Sequence, residues 1–206
     1  MARTALKLLN ETGLDGLSLR AIAKELDVKA PALYWHFKDK QALLDEMATE
    51  MMRRMNEELT AGAGPDADWR TALTEALRGL RRHLLMYRDG AKVYSGTHFT
   101  DTSYAAPMEA HLRTLTGGGF TPGGAARAWF TGYSYTIGYV TEEQSMGPDP
   151  AKGEAGGYDL AARAERLAAY PLASAAGGEM FRDFDAGFEK GLAAVIAGIG
   201  ATMLET

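Results

Sequence analysis

The stretch SLRAIAKELDVKAPALYWHF, residues 18–37, constrains this chain more than any other. Ser18 can accept a hydrogen bond from the first turn of a following helix and so cap LRAIAKEL. Ile22 and Leu26 are four apart and would share one face of that helix. Ala23, on the packing side, is small enough to let another helix come close. The residues DVK break the helix. Pro31 then falls in a new first turn, where its missing N–H costs nothing. Leu33 and Phe37 are again four apart and would face Ile22 and Leu26. Two short helices, about three residues apart and closed on one apolar seam, are a helix-turn-helix. Tyr34 is rotated about 100° off that seam, and Ala30, Pro31 and Tyr34 share a different face. The polar-tipped aromatics Tyr34, Trp35 and His36 therefore belong to the side that the small core does not use.

Nearly every other segment also reads as helix. Leu6 and Leu9 suit a first helix stopped at Thr12-Gly13. Asp39 can cap a fourth, which runs from Lys40 through ALLDEMATEMMRRMNEEL to the GAGPDAD break. DWRTALTEALRGLRRHLLMY carries Leu73, Leu77, Leu80 and Leu84 at helical spacing. RDGAKVYSGTHFTDTSY reads as irregular, AAPMEAHLRTL as helix and TGGGFTPGG as a break. AARAWFTGYSYTIGYVTEEQSM reads as a long apolar helix, GPDPAKGEAGG as a mobile loop and YDLAARAERLAAY as helix. EMFRDFDAGFEKGLAAVIAGIGATML reads as one last helix. No strand alternation or internal repeat is evident. The fold class is all-α, with three short helices and a long connector ahead of a larger helical part.

The last helix calls for a partner. Phe181, Phe184, Phe188, Leu192, Val195, Ile196 and Ile199 make a wide apolar stripe, and Gly187 and Gly191 permit close helix approach. One chain would bury one side of this stripe and a second copy the rest, which predicts a homodimer.

Composition narrows the function. The chain has 206 residues and no Cys, so disulfides, thiolate zinc sites and Cys nucleophiles are excluded. No apolar run approaches the roughly 20 residues of a membrane span, and no signal peptide is visible, so the expected location is the cytoplasm. The net charge is −5, against a protein that coats nucleic acid with its whole surface. Its distribution is uneven: residues 1–45 hold seven Lys/Arg and six Asp/Glu, and within 18–40 the balance is five against three. A small basic island sits on an acidic body.

The parts of an enzyme are missing. His36, His83, His98 and His111 form no H-x-x-x-H pair, and Glu109 and His111 are two apart, on different helix faces. TGGGF and PGG lack the preceding strand and following Lys of a phosphate loop. YSGT has no base fixed near its Ser. Catalysis is not expected, and neither a metal nor a cofactor is.

GLSLRAIAKELDVKAPALYWHFKDKQALLDEM resembles the DNA-binding domain of the TetR family of bacterial transcriptional repressors. LYWHF, a Lys three residues later and then ALL are the most specific part. YRDGAKVYSGT at 87–97, GFTPGGA and GYVTEEQ resemble later segments of its tetracycline-repressor-like branch, so the likeness covers nearly the whole chain. It implies a helix-turn-helix DNA-binding domain at 1–45 and a helical effector-binding and dimerisation domain at 46–206. It also implies a homodimer on palindromic double-stranded operator DNA, usually as a repressor. Asp27 stands where the family commonly has Gly, and Asp tolerates the left-handed conformation better than most residues. The basic arm of some relatives is reduced to Arg3 and Lys7.

In such a reader the third helix enters the major groove. Lys40, at a helix start, is placed for a phosphate. Tyr34, Trp35 and His36 offer donors that also reach phosphates, contacts that position without reading sequence. Base reading falls to Arg20, Lys29, Ala30 and Pro31, with Tyr34 able to join them. Arg20 is foremost, because a guanidinium can pair bidentately with guanine, while Ala30 and Pro31 could only touch a thymine methyl.

The resemblance also implies an effector pocket. Tyr94 stands where the tetracycline-repressor-like branch has a His that holds the drug's magnesium ion, and a phenol is a poor Mg²⁺ ligand near neutral pH. Thr97 and Glu142 match that site. A second pocket His reads as Ser134, and two drug-contacting positions read as Asn56 and Ala76. What remains is aromatic: Tyr94, Phe99, Trp129, Phe130, Tyr133, Tyr135 and Tyr139, with His98, Met108 and His111 near them. This composition predicts a flat, largely apolar, aromatic effector with a few polar anchors. Plain core packing is the simpler reading of each ring by itself. A tetracycline–Mg²⁺ effector, or a helical ligand-binding module without DNA contact, are the alternatives.

Overall fold

The computed structural model describes residues 1–59, 68–147 and 158–204. Most of the GAGPDAD and GPDPAKGEAGG segments lies outside these residues. Those described form eleven helices and no strand.

Helix α1 (Ala2–Gly16) carries a kink at Gly13, whose φ of 70° only glycine adopts at low cost, so the regular helix stops where Thr12-Gly13 predicts. Ser18 caps α2 (Leu19–Glu25), its side chain accepting from the Ala21 N–H at 3.2 Å. The turn after it passes through Asp27 at φ 51°, in the left-handed region. Helix α3 is short, Ala30–Tyr34, and a further turn carries the chain on, with the Phe37 N–H bonded to the Leu33 carbonyl. Trp35 and His36 thus lie just past the helix proper. Leu33, Phe37, Ile22 and Ala23 are buried, and Leu26 is half-buried beside them. Asp39 accepts from the Ala42 N–H at 2.8 Å and starts α4 (Lys40–Leu59).

The larger part begins with α5 (Trp69–Leu85), where Leu73, Leu77, Leu80 and Leu84 are all buried. The segment read as irregular contains a helix, α6 (Gly90–Tyr94), which starts from Asp89 at φ 55°. Five residues are too few to display a helical period in sequence. Then follow α7 (Ala105–Gly117), α8 (Pro122–Met146) and α9 (Leu160–Arg166). The predicted single last helix is two, α10 (Pro171–Phe181) and α11 (Phe184–Thr202). Pro171 opens the first of them. Asp183 divides them, because its side chain accepts from the Ala186 N–H at 2.9 Å and starts a new N-terminus.

Two cores result. One runs without interruption from α1–α3 along Leu43, Met47, Met51 and Met55 of α4 to Tyr94, Ile137 and Val140. The other joins α5, α7, α8 and α11 around Trp69, Leu77, Phe188 and Leu192. No described helix is long and apolar enough to cross a membrane.

Candidate nucleic-acid interface and effector site

The helix-turn-helix divides its side chains as the spacing predicts. Trp35 is 90 % exposed and Tyr34 53 %, while Leu33 on the same short helix is buried. A Trp that free of packing has no core role. Pro31, Tyr34 and Trp35 line one shallow surface depression. Arg20, Lys29 and His36 are also exposed, Lys29 at the N-cap of α3. Ala30 opens α3, and its side chain lies outside what is described.

The cations of the island are not equally available. Lys40 Nζ donates to the Leu14 carbonyl at 3.0 Å, from the start of α4 to the last turn of α1 beyond its kink. An ammonium has three donors, so this contact fixes the side chain and leaves two N–H groups to point outward. Arg3 and Lys7 are engaged within the protein: Arg3 Nε with Glu50 at 2.8 Å, Lys7 Nζ with Glu25 at 3.0 Å. Both contacts brace α1.

The proposed effector residues fall into two groups. The first surrounds Tyr94, which is buried on α6. Its ring meets Phe99 edge-on at 5.6 Å and Tyr133 at 6.5 Å. Phe99 stacks on Tyr104, and Tyr133 on the largely exposed Phe130. The Tyr94 hydroxyl donates to Met52 Sδ on α4 at 3.7 Å. Burial pushes this phenol far above its ordinary value, and Tyr133 acts in the same direction. The second group is His111 of α7 stacked on Trp129 of α8 at 4.3 Å, in the other core. Burial holds the His111 imidazole below its usual range, so it is neutral near pH 7. A small crevice lies between it, Thr114, Leu115 and the α5 residues Trp69, Ala72 and Leu73. Tyr135 and Tyr139 leave the effector side altogether. Their hydroxyls donate to the Phe188 and Phe184 carbonyls of α11 at 2.9 and 3.0 Å.

Two polar residues of the set have structural partners. The Thr97 hydroxyl donates to the Tyr94 carbonyl at 3.0 Å, and Asn56 Nδ2 to the Ser103 carbonyl at 3.0 Å. His98, Ser134 and Glu142 are exposed and Met108 is half-buried. Residues 98–103 follow α4 almost turn by turn. The His98 N–H bonds Asp45 and the Thr100 N–H bonds Thr49. Arg53 bonds Asp101 through Nε and Nη2. Sequence reasoning passed over two residues of the Tyr94 group, Met52 and Tyr104. Met52 lies four before Asn56 on α4, a spacing that put it on the same face.

The structure thus pairs a helix-turn-helix with an exposed aromatic face and a buried aromatic cluster that touches the long helix α4 through Met52. The chain belongs to the TetR family. Residues 3–47 match the family of bacterial regulatory proteins, tetR type, and residues 61–203 match the tetracyclin repressor-like C-terminal domain. It is 40 % identical over 204 residues to the tetracycline repressor protein class A from transposon 1721 of Escherichia coli, covering 98 % of this chain and 89 % of that protein. A possible TetR family transcriptional regulator from Streptomyces coelicolor A3(2) superposes with a TM-score of 0.81 at 37 % identity, covering 97 % of both chains. TetR (class A) in complex with 5a,6-anhydrotetracycline and magnesium superposes with a TM-score of 0.66 at 35 % identity, covering 97 % of this chain and 95 % of that one.

Proposed function

We propose that this chain is a ligand-responsive transcriptional regulator, a binding protein and not a catalyst. It acts as a repressor that holds a palindromic operator as a homodimer and is released by a largely apolar, aromatic small molecule. Residues 1–45 are the reading head, and 46–206 sense and dimerise. The observation that carries this is the two-sided segment from Pro31 to Phe37: Leu33 and Phe37 closed into the core, Tyr34 and Trp35 turned out beside Pro31. An exposed aromatic face on a unit that also exposes Arg20, Lys29 and Lys40 suits a phosphate-lined groove.

The dimer follows from what α11 leaves uncovered. Phe188, Leu192, Ile196 and Ile199 are buried within the chain, while Ala193, Ala194, Ala197 and Gly198 are exposed. A face of small residues lets a second copy's helix approach closely. Two reading heads must then meet successive major grooves roughly 34–36 Å apart. Effector binding shifts the population toward a spacing that cannot do so. Tyr94 and Met52 offer the route, since they join the effector site directly to α4.

Selection from random duplexes with the purified protein, followed by titrations at several salt concentrations, tests this. A palindromic consensus with a steep negative salt slope is the expected result. No enrichment above background would make the chain a ligand-binding module without DNA contact.

A further inference from the structure

The relative bound to 5a,6-anhydrotetracycline holds magnesium, and Tyr94, Thr97 and Glu142 stand where the resemblance puts the contacts to such a chelate. These side chains do not fit the ion. Mg²⁺ demands hard oxygen donors in near-octahedral geometry, chiefly carboxylate and water. A phenol serves only when ionised, and burial drives the Tyr94 phenol strongly toward its neutral form. The Thr97 hydroxyl is turned to the Tyr94 carbonyl. Glu142 lies exposed on α8. Among the described residues, no group of three His, Asp or Glu is arranged to hold a metal ion.

What the site offers instead is a neutral, buried donor. Tyr94 is 3 % exposed, and its hydroxyl donates to a thioether, a weak acceptor, at 3.7 Å. Such a donor gives up little by turning to a carbonyl oxygen, and gains a normal hydrogen bond in an environment of low dielectric. The rings of Phe99, Tyr133 and Phe130 continue from it toward the surface, Phe130 being 66 % exposed. This makes an aromatic wall with the Tyr94 hydroxyl as its most deeply buried donor.

We infer that the effector is a metal-free, uncharged aromatic molecule whose carbonyl-type oxygen takes the Tyr94 hydroxyl from Met52. The inference rests on the ligand-responsive reading above and gives it a ligand class. Position 94 then decides specificity: a donor for a neutral acceptor in place of a ligand for a chelated ion.

Calorimetric titration of the full-length protein tests it, with flavone and fluorenone as metal-free ketone probes and 5a,6-anhydrotetracycline as the chelating comparison. Each is titrated in excess Mg²⁺ and again in EDTA. The ketones should bind equally in both, and Mg²⁺ should add nothing to anhydrotetracycline. Tyr94→Phe keeps the ring packing, and should weaken the ketones about tenfold with an unchanged melting temperature. Met52→Leu should bind them at least as well as the parent. Three results would each overturn the inference: anhydrotetracycline binding that requires Mg²⁺, no binding of either ketone, or equal ketone binding by Tyr94→Phe. A parallel titration with the selected duplex separates the two readings. A protein that takes ketones but no duplex fails as a regulator while its ligand class stands.

Discussion

The Tyr135 ring lies against α11 where Gly191 has no side chain, and its hydroxyl donates to the Phe188 carbonyl at 2.9 Å. Tyr139 repeats the arrangement one turn away, against Gly187 and the Phe184 carbonyl. Gly187 and Gly191 of the last helix thus serve packing within one chain. The two sites differ in how far the ring intrudes. A Cβ at Gly187 would collide with the Tyr139 hydroxyl, but the next ring carbon is 3.5 Å away. At Gly191 the colliding hydroxyl is backed by ring carbons at 2.8 and 3.0 Å. Both Gly→Ala changes should destabilise, by about 1–3 kcal/mol from overpacking. Adding Tyr139→Phe should restore most of the loss at 187, whereas Tyr135→Phe should restore little at 191. Urea denaturation of the four single and two double variants measures this, and equal rescue at both sites would refute the packing described.

Glu50 is a buried carboxylate that receives Arg3 from α1 and Arg54 from its own helix, at 2.8 and 3.0 Å. Burial alone would raise its pKa, but the hydrogen bonds from Arg54 and Arg3 outweigh this and hold it below the usual carboxylate value. A group with a depressed folded pKa contributes stability above its unfolded pKa, about 4.3 for Glu, and loses it as pH falls through the folded value. Glu50→Gln should therefore cost about 1–3 kcal/mol at neutral pH. Its stability should fall less than the parent's on acidification below about pH 4. Parallel stability–pH curves for the two proteins would contradict the assignment.

Much of this was legible in the sequence because it rests on local chemistry. Ser18, Asp39 and the left-handed Asp27 do what their side chains favour at a cap or a turn. The 3.6-residue spacing likewise placed Leu33 and Phe37 inward and Tyr34 outward. The misreadings involve partners far along the chain. Tyr135 and Tyr139 share helix α8 with Trp129 and Tyr133, and nothing local tells a ring aimed at α11 from one aimed at the effector side. The Lys40–Leu14 and Arg3–Glu50 contacts join residues 26 and 47 apart. Neither contact has a local signature in the sequence, and the one at Lys40 leaves its proposed phosphate role standing, since an ammonium has three donors. The break at Asp183 was masked by apolar residues on both sides of it.

Asp89 ties the reading head to the body from a left-handed backbone. Its carboxylate accepts from the Leu14 N–H at 3.0 Å and pairs with Lys92 Nζ at 2.9 Å, while its φ is 55°. Asp89→Ala removes the acceptor and leaves a residue poorly suited to that conformation, so a loss of about 1–3 kcal/mol is expected. Asp89→Asn keeps an acceptor oxygen and tolerates the left-handed region, and should lose distinctly less. Hydrogen exchange at the Leu14 amide reports the tie directly. It should quicken in Asp89→Ala, and unchanged protection would show that the bond does not form.

On the roles proposed for them, Arg20 reading a base and Lys40 holding a phosphate, the two should fail in different ways. Arg20 is an exposed guanidinium on α2. Arg20→Ala should cost about 1–3 kcal/mol on the preferred duplex and relax the preference at one base pair per half-site. Lys40 is held by the Leu14 carbonyl at 3.0 Å, a pre-ordering that would lower the entropy lost on contacting phosphate in the proposed role. Lys40→Ala should weaken every duplex alike and reduce the salt slope by about one per half-site. Lys40→Arg keeps the charge but presents a fork where a point charge fits the turn, so it should recover the slope more fully than the affinity. Selections and salt titrations on the same three variants decide it: a base preference altered by Lys40→Ala, or unaltered by Arg20→Ala, would reverse the two roles.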